Sequence, residues 1–335
     1  METVAVGIDV SKATLDVCVL VGLGAKPKHR RFKNGEDGFK KMVDWVLAQA
    51  PDGPRHFCME ATGTYGFGAA AYLADNGHKV SVENPRPVKH LAIALGLKAK
   101  TDKVDAFCIA RYVQVTNPRE WTLRDPRRRE LAQLHTRIHQ LDKQRIAERS
   151  RLDDRYLPEF IRTQTREHID HLAGLIQEVE AQVRELMSSC ETARVVYKAV
   201  TGLIGVGPET GLLLAGLDIL SFDHAQQVPT FFGLSPRLFR SGKFCGETHI
   251  TKCGDGVGRA ILMSAANSAA QHNPALKEFF ETRISNGLKR KQAIAAVARK
   301  LVMIAWAVAR NALLARPVSY PGGELRTRAL RVYCA

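Results

Sequence analysis

The strongest constraint in this chain is the order of its β-rich and helical runs between residues 4 and 115. Val4–Val10 and Thr14–Val21 are strand-forming runs joined by a short turn at Ser11–Ala13, and Lys28–Lys33 supplies a third after the glycines at Gly22 and Gly24. Links this short produce an antiparallel meander. Phe39, Met42, Val43, Trp45, Val46 and Leu47 then follow helical spacing. His56–Glu60 and Lys79–Glu83 read as strands; Gly68–Ala74, Val88–Leu97 and Val104–Val113 read as helices. The order βββ-α-β-α-β-α predicts a mixed sheet covered by helices. It excludes a plain doubly wound sheet, in which hairpins do not come first.

Residues 124–195 change character, with few strand formers and many Arg, Gln, Glu and Leu. Leu131, Leu134, Ile138 and Leu141 form one apolar stripe. Ile169, Leu172, Ile176, Val179, Val183 and Leu186 form a second with a 3.5-residue repeat. Pro158 separates the two helices. A hairpin within one chain would cover such stripes, but their narrowness and length favour a coiled-coil seam between chains. Residues 196–316 form a further unit rich in helix. The expected division is therefore 1–120, 124–195, 196–316 and a loose tail at 317–335.

Lys plus Arg number 49 against 34 Asp plus Glu, a net charge of +15, so the expected partner is a polyanion. The longest apolar stretch, Ala293–Ala315, is broken by Arg299, Lys300 and Arg310, which disfavours a membrane span. The N-terminus shows no basic segment followed by an apolar one, so no signal peptide is expected. Seven cysteines without a CxxC pair fit free thiols in a reducing cytoplasm. Cys245, His249 and Cys253 lack the spacing and the fourth ligand of a structural zinc site.

Four carboxylates stand out by position. Asp9 lies inside an apolar strand between Ile8 and Val10, where burial is costly unless it is paired or holds a metal. Glu60 ends the fourth strand. Asp102 and Asp105 stand at i and i+3 at a helix start. The strand order matches the ribonuclease-H-like fold, in which the first and fourth strands are neighbours. Asp9 and Glu60 would then meet, with the last helix bringing Asp102 and Asp105 over them. Such hard oxygen donors select Mg²⁺ or Mn²⁺, and two such ions can clamp a phosphodiester. Taken singly, Asp102 and Asp105 also suit the positive end of a helix.

In the C-terminal unit, Gly202 to Gly207 followed by Leu212–Leu214 resembles a helix-hairpin-helix, in which Gly205 and Gly207 would present backbone N–H groups to phosphate. An ordinary glycine-rich turn between helices has the same pattern. Ser241 lies among Arg237, Arg240 and Lys243, with Lys252 following; by spacing alone it is an ordinary loop serine. Residues 282–316 hold eight Lys or Arg and no acid, densest at Lys289, Arg290 and Lys291. That one-sided charge favours phosphate contact.

Three segments in order, Gly7-Ile8-Asp9-Val10-Ser11-Lys12, Glu60-Ala61-Thr62-Gly63-Thr64-Tyr65 and Lys100 through Ala106, carry a family resemblance. Gly205-Val206-Gly207 and Phe232 through Gly242 continue it. The chain resembles the DEDD-type insertion-sequence transposases, which are bridge-RNA-guided serine recombinases, over about residues 4–315. The resemblance implies a RuvC-like nuclease domain, a coiled coil and a C-terminal transposase domain. It implies a metal-binding tetrad at Asp9, Glu60, Asp102 and Asp105, and a serine nucleophile at Ser241 that forms a covalent phosphoserine. It also implies donor and target DNA and a guide RNA as partners, with a dimer assembling to a tetramer. Two alternatives stay open: a junction-resolving nuclease in which water attacks, and a non-catalytic nucleic-acid scaffold.

Overall fold

The computed structural model describes residues 3–22, 24–61, 63, 65–97, 101–122, 125–237, 240–241, 244–245 and 249–315. The chain divides into two compact units, Met1–Leu123 and Arg124–Ala335.

The first unit is built on strands β1 (Val4–Val10), β2 (Thr14–Leu20), β3 (Lys28–Lys33), β4 (Arg55–Glu60) and β5 (Lys79–Glu83) in the order β3-β2-β1-β4-β5. The first three strands form the antiparallel meander expected from their short links, while β4 lies parallel to β1 and β5 parallel to β4. Four helices accompany the sheet: α1 (Glu36–Gln49), α2 (Phe67–Asp75), α3 (Pro85–Ala94) and α4 (Asp102–Thr116). The strand period of two divides β1 cleanly. Val4, Val6 and Ile8 enter the core with Phe39, Met42 and Leu73 of α1 and α2. Ala5 enters the opposite core with Ala106, Ile109 and Ala110 of α4.

Gly7 explains how closely α4 can approach. A Cβ at this position would overlap the Ala106 carbonyl oxygen and the Ala110 nitrogen, so helix backbone rests directly on strand backbone. The Thr101 hydroxyl starts α4 by accepting the Val104 N–H at 3.3 Å, and Asn117 ends it in the left-handed region at φ 43°. Cys18, Cys58 and Cys108 are buried free thiols on this side of the sheet and behave as small hydrophobes.

The second unit is helical: α5 (Pro126–Leu152), α6 (Glu159–Ser189), α7 (Glu191–Thr201), α8 (Pro208–Ala215), α9 (Gln227–Phe231), α10 (Gly256–His272), α11 (Pro274–Ser285) and α12 (Arg290–Leu314). Four two-residue strands lie between α9 and α10. Here β6 (Pro236–Arg237) pairs with β9 (His249–Ile250), and β7 (Arg240–Ser241) pairs with β8 (Phe244–Cys245). One core joins α7, α8, α10 and α12 through Val196, Leu214, Ala266 and Leu301. Helix α12 is long and apolar enough to cross a membrane, but its buried side chains belong to this core.

The apolar stripes of α5 and α6 are covered within the chain. Leu141, Leu172 and Ile176 form a small core of their own with Ile138 and Val179, and Leu131 and Val183 join the larger core. The residues expected in a seam between chains thus fill an intrachain hairpin, because a neighbouring helix of matching stripe lies only a short turn away. The tail from 317 lies outside the described residues.

Candidate functional site

Asp9 follows Gly7 by two residues and therefore lies on the face of β1 that α4 covers. Asp102 and Asp105 occupy the first turn of α4, immediately before the Ala106 contact. The carboxyl of Asp9 is pushed up to about 6, first by burial and then by the negative charges of Asp105, Asp102 and Asp16. Three of the four expected acids thus act on one another. The β1–β4 ladder runs to the Ile8–Met59 pair, so Asp9 and Glu60 are the next opposed positions. Glu60 and Asp105 both push up the Cys108 thiol, after the larger effect of its burial. This places Glu60 beside the same group.

Two further acids belong to this face. Asp16 pairs with Asp9 across β1 and β2 and is only 6% exposed. Glu83 pairs with Glu60 across β4 and β5, and burial raises its carboxyl. Neither was expected from the sequence, although Asp16 carries the same signal as Asp9: it lies inside an apolar strand, between Leu15 and Val17.

Arg31 ties part of the cluster together. Its Nε donates to both oxygens of Asp16, at 2.9 and 3.0 Å, and its Nη2 donates to Asp102 Oδ2 at 2.7 Å. The register of β2 and β3 sets Arg31 opposite Asp16. The guanidinium supplies positive charge where buried and half-buried carboxylates crowd. His29, one pleat away, is held below its usual range by burial and by Lys103. The donor chemistry of Asp9, Glu60, Asp102 and Asp105 fits a hard divalent cation. Among the described residues, however, no three His, Cys, Asp or Glu side chains are close enough to share one ion.

The other expected residues lie in the second unit. Ser241 is the last residue of β7 and pairs with Phe244 of β8; its side chain, that of Arg240, and Lys243 lie outside the described residues. Arg237 ends β6 and is exposed. Lys252 follows β9 and is held at φ 53°. Lys289, Arg290 and Lys291 are exposed at the start of α12, where Lys289 is the N-cap and Arg290 stacks on Phe280. Gly202 to Gly207, expected as the turn of a helix-hairpin-helix, link α7 to α8. Gly205 has a packing reason to be glycine: φ is 96° and a Cβ would press on the backbone of Ala269. Space around Gly207 is open.

Comparison with known proteins covers both units. Residues 6–159 match a transposase family model, and residues 197–281 match the model described as the IS116/IS110/IS902 transposase family. The pilin gene-inverting protein of Moraxella bovis is 30% identical over 323 residues, which span 93% of this chain and 97% of that protein. Its counterpart in Moraxella lacunata is 30% identical over 325 residues, with the same coverage. The chain belongs to the IS110-type transposase family.

Proposed function

We propose that this transposase cuts and exchanges DNA strands with a ribonuclease-H-like (RuvC-like) acid site and a serine nucleophile. The observation that carries the reading is the crowding of Asp9 by Asp102, Asp105 and Asp16 in a half-buried strand position. A fold gains no stability from that arrangement, and a cation would relieve it. The sheet order β3-β2-β1-β4-β5, with a parallel β1–β4 pair, supports the fold assignment.

In this reading Asp9, Glu60, Asp102 and Asp105 hold Mg²⁺ or Mn²⁺, which supplies neutralisation and polarisation of the reacting phosphate. Arg31 fixes the carboxylate of Asp102 against the sheet. Ser241 forms the bond to phosphorus, the bond from phosphorus to one deoxyribose oxygen breaks, and that oxygen leaves as a hydroxyl carrying a proton. Reversal on another strand completes the exchange. The partners are donor and target DNA and a bridge RNA whose base pairing selects the sites. A dimer or tetramer holds the two duplexes together. The names of the Moraxella relatives, which describe inversion of a gene, support strand exchange over simple cleavage.

The test is a DNA challenge read on a denaturing gel. Wild type should give a protein–DNA adduct that needs divalent metal; Ser241→Ala should give neither adduct nor product, and Asp9→Asn neither. Metal-dependent cleavage by Ser241→Ala would replace the serine by water as the nucleophile. Site-specific recombination by RNA-free protein would remove the guide RNA from the reading.

A further inference from the structure

The second unit contains a cavity of about 600 Å³ between the β9 edge and the helices α10 and α12. That volume lies within the range of small-ligand sites, about 300–1,000 Å³. Its floor is apolar, with Ile250, Met263 and Leu288 facing in. Lys252, Lys291 and Arg299 stand on its wall, and among the described residues that line it there is no Asp or Glu. These three cations have no acidic partner among the described residues. Elsewhere in the same unit arginines are paired, as in Arg128–Asp218, Arg145–Asp142 and Arg151–Glu148.

Lys252 is held in place. Its φ of 53° is unusual for a residue with a side chain, and the Lys252 N–H donates to the Gly233 carbonyl at 3.1 Å. Gly254, two residues on, sits against the Phe231 carbonyl, where a Cβ could not fit. The backbone around the cavity mouth is therefore closely packed, and an uncommon conformation persists where the surroundings impose it. The first turn of α12, carrying Lys291, contributes the positive end of its helix to the same wall.

We propose that this cavity receives one unstacked nucleotide of a single strand: the base on the apolar floor and its flanking phosphates on Lys252, Lys291 and Arg299. A flat basic face would suit duplex backbone; a concavity with an apolar floor and a cationic wall suits a base turned out of the stack. The exposed Lys289 and Arg290 beside it extend the phosphate path. The inference rests on the recombinase reading only in that strand exchange creates unpaired DNA and a guide supplies unpaired RNA. DNA and RNA share the required chemistry, and parallel arms separate them.

The experiment uses the full-length protein without metal and oligonucleotides of about 12 residues, a length within known single-strand site sizes. Each carries one central 5-iodouracil, in DNA or in RNA, for photo-crosslinking and peptide mapping. The crosslink should fall in peptides containing Ile250, Met263 or Leu288, and the stronger arm names the strand. Ala296→Phe, which fills the cavity without changing charge, should abolish that crosslink. Lys252→Ala with Arg299→Ala should reduce the slope of log affinity against log salt by about 1.4, at about 0.7 for each lost phosphate contact. If Ala296→Phe does not fold, the double alanine variant and the mapped peptide decide the matter. Crosslinks mapping elsewhere, or an unchanged salt slope in the double variant, would overturn the proposal. Metal-dependent adduct formation is scored separately, so loss of the pocket leaves the recombinase reading standing, and loss of the adduct leaves the pocket standing.

Discussion

Asp9→Asn should make the first unit more stable at neutral pH in the absence of metal, although it removes the residue on which the proposed chemistry depends. Burial, Asp105, Asp102 and Asp16 together raise the Asp9 carboxyl from its ordinary 3.8 to about 6. At about 1.4 kcal/mol for each tenfold change in acidity, that rise corresponds to about 3 kcal/mol. Asp9 is only half-buried, so solvent screening brings the expected figure to about 1–2 kcal/mol. The sign follows from proton binding. The folded state holds the Asp9 proton more tightly than the unfolded chain does. The charged form is therefore the one the fold disfavours, and stability is lost as pH rises through about 6. Asparagine carries no charge at any pH. Its advantage should be absent below about pH 4, grow through about pH 6 and stay level above that. Hydrogen exchange of β1 and β4 peptides in rising urea reads the opening free energy of this sheet, separately from the helical unit. Added Mg²⁺ should narrow the difference by stabilising wild type alone. An advantage that is the same at about pH 4 and pH 8, or a variant less stable than wild type at about pH 8, would refute the charge-crowding argument.

Arg31→Ala should lower the exchange protection of β2 and β3, because the buried Asp16 carboxylate loses both hydrogen bonds from Arg31 Nε. The tie from Arg31 to Asp102 is exposed on both sides, so its loss should free the Asp102 side chain without a measurable stability change of its own. Gly7→Ala should cost about 3 kcal/mol by thermal denaturation, since the added methyl meets helix backbone that cannot rotate aside. The same substitution should lower metal affinity by moving the α4 acids away from Asp9. Ile176→Glu places a charge in the closed core between α5 and α6. It should remove about 3 kcal/mol and reduce the helical circular dichroism signal; unchanged helicity with a lower mass by light scattering would restore the seam between chains.

The limits of the five strands in the first unit were legible to within a residue because turn residues punctuate them and β1, β2 and β4 read as continuous strand-forming runs, buried on both faces. Asp9 was legible for a related reason, as a carboxylate inside a strand that otherwise reads as buried. Asp16 carries the same mark and became meaningful only through pairing. The turn from Ser11 to Thr14, closed by hydrogen bonds between those residues, sets the register that puts Asp16 opposite Asp9. Glu83 depends on the parallel register of β4 and β5. That register is set by the α2 crossover, and no local pattern encodes it. The heptads of α5 and α6 were read correctly as narrow stripes, but the chemistry of a stripe is identical whether its cover comes from the same chain or another. Their partner is a tertiary fact.

Gly7 joins these levels. In the sequence it is an ordinary residue of a strand, whereas in the fold it lets Ala106 and Ala110 lie against β1. Because α4 rises about 1.5 Å per residue, this contact also locates the preceding turn, and with it Asp102 and Asp105, along the same strand toward Asp9. On the opposite flank, β2 and β3 place Asp16 and Arg31 by register alone. The acids are therefore carried by four strands and a helix whose relative positions are set by backbone contacts, and Arg31 of β3 is the long, half-exposed side chain that spans from Asp16 to Asp102. In the proposed metal site Arg31 would have to release Asp102 to a cation, while Asp9 and Asp16 stand opposite each other in the β1–β2 ladder. The cost of collecting like charges is met when the sheet and α4 pack, and burial together with Asp105, Asp102 and Asp16 leaves its mark on Asp9.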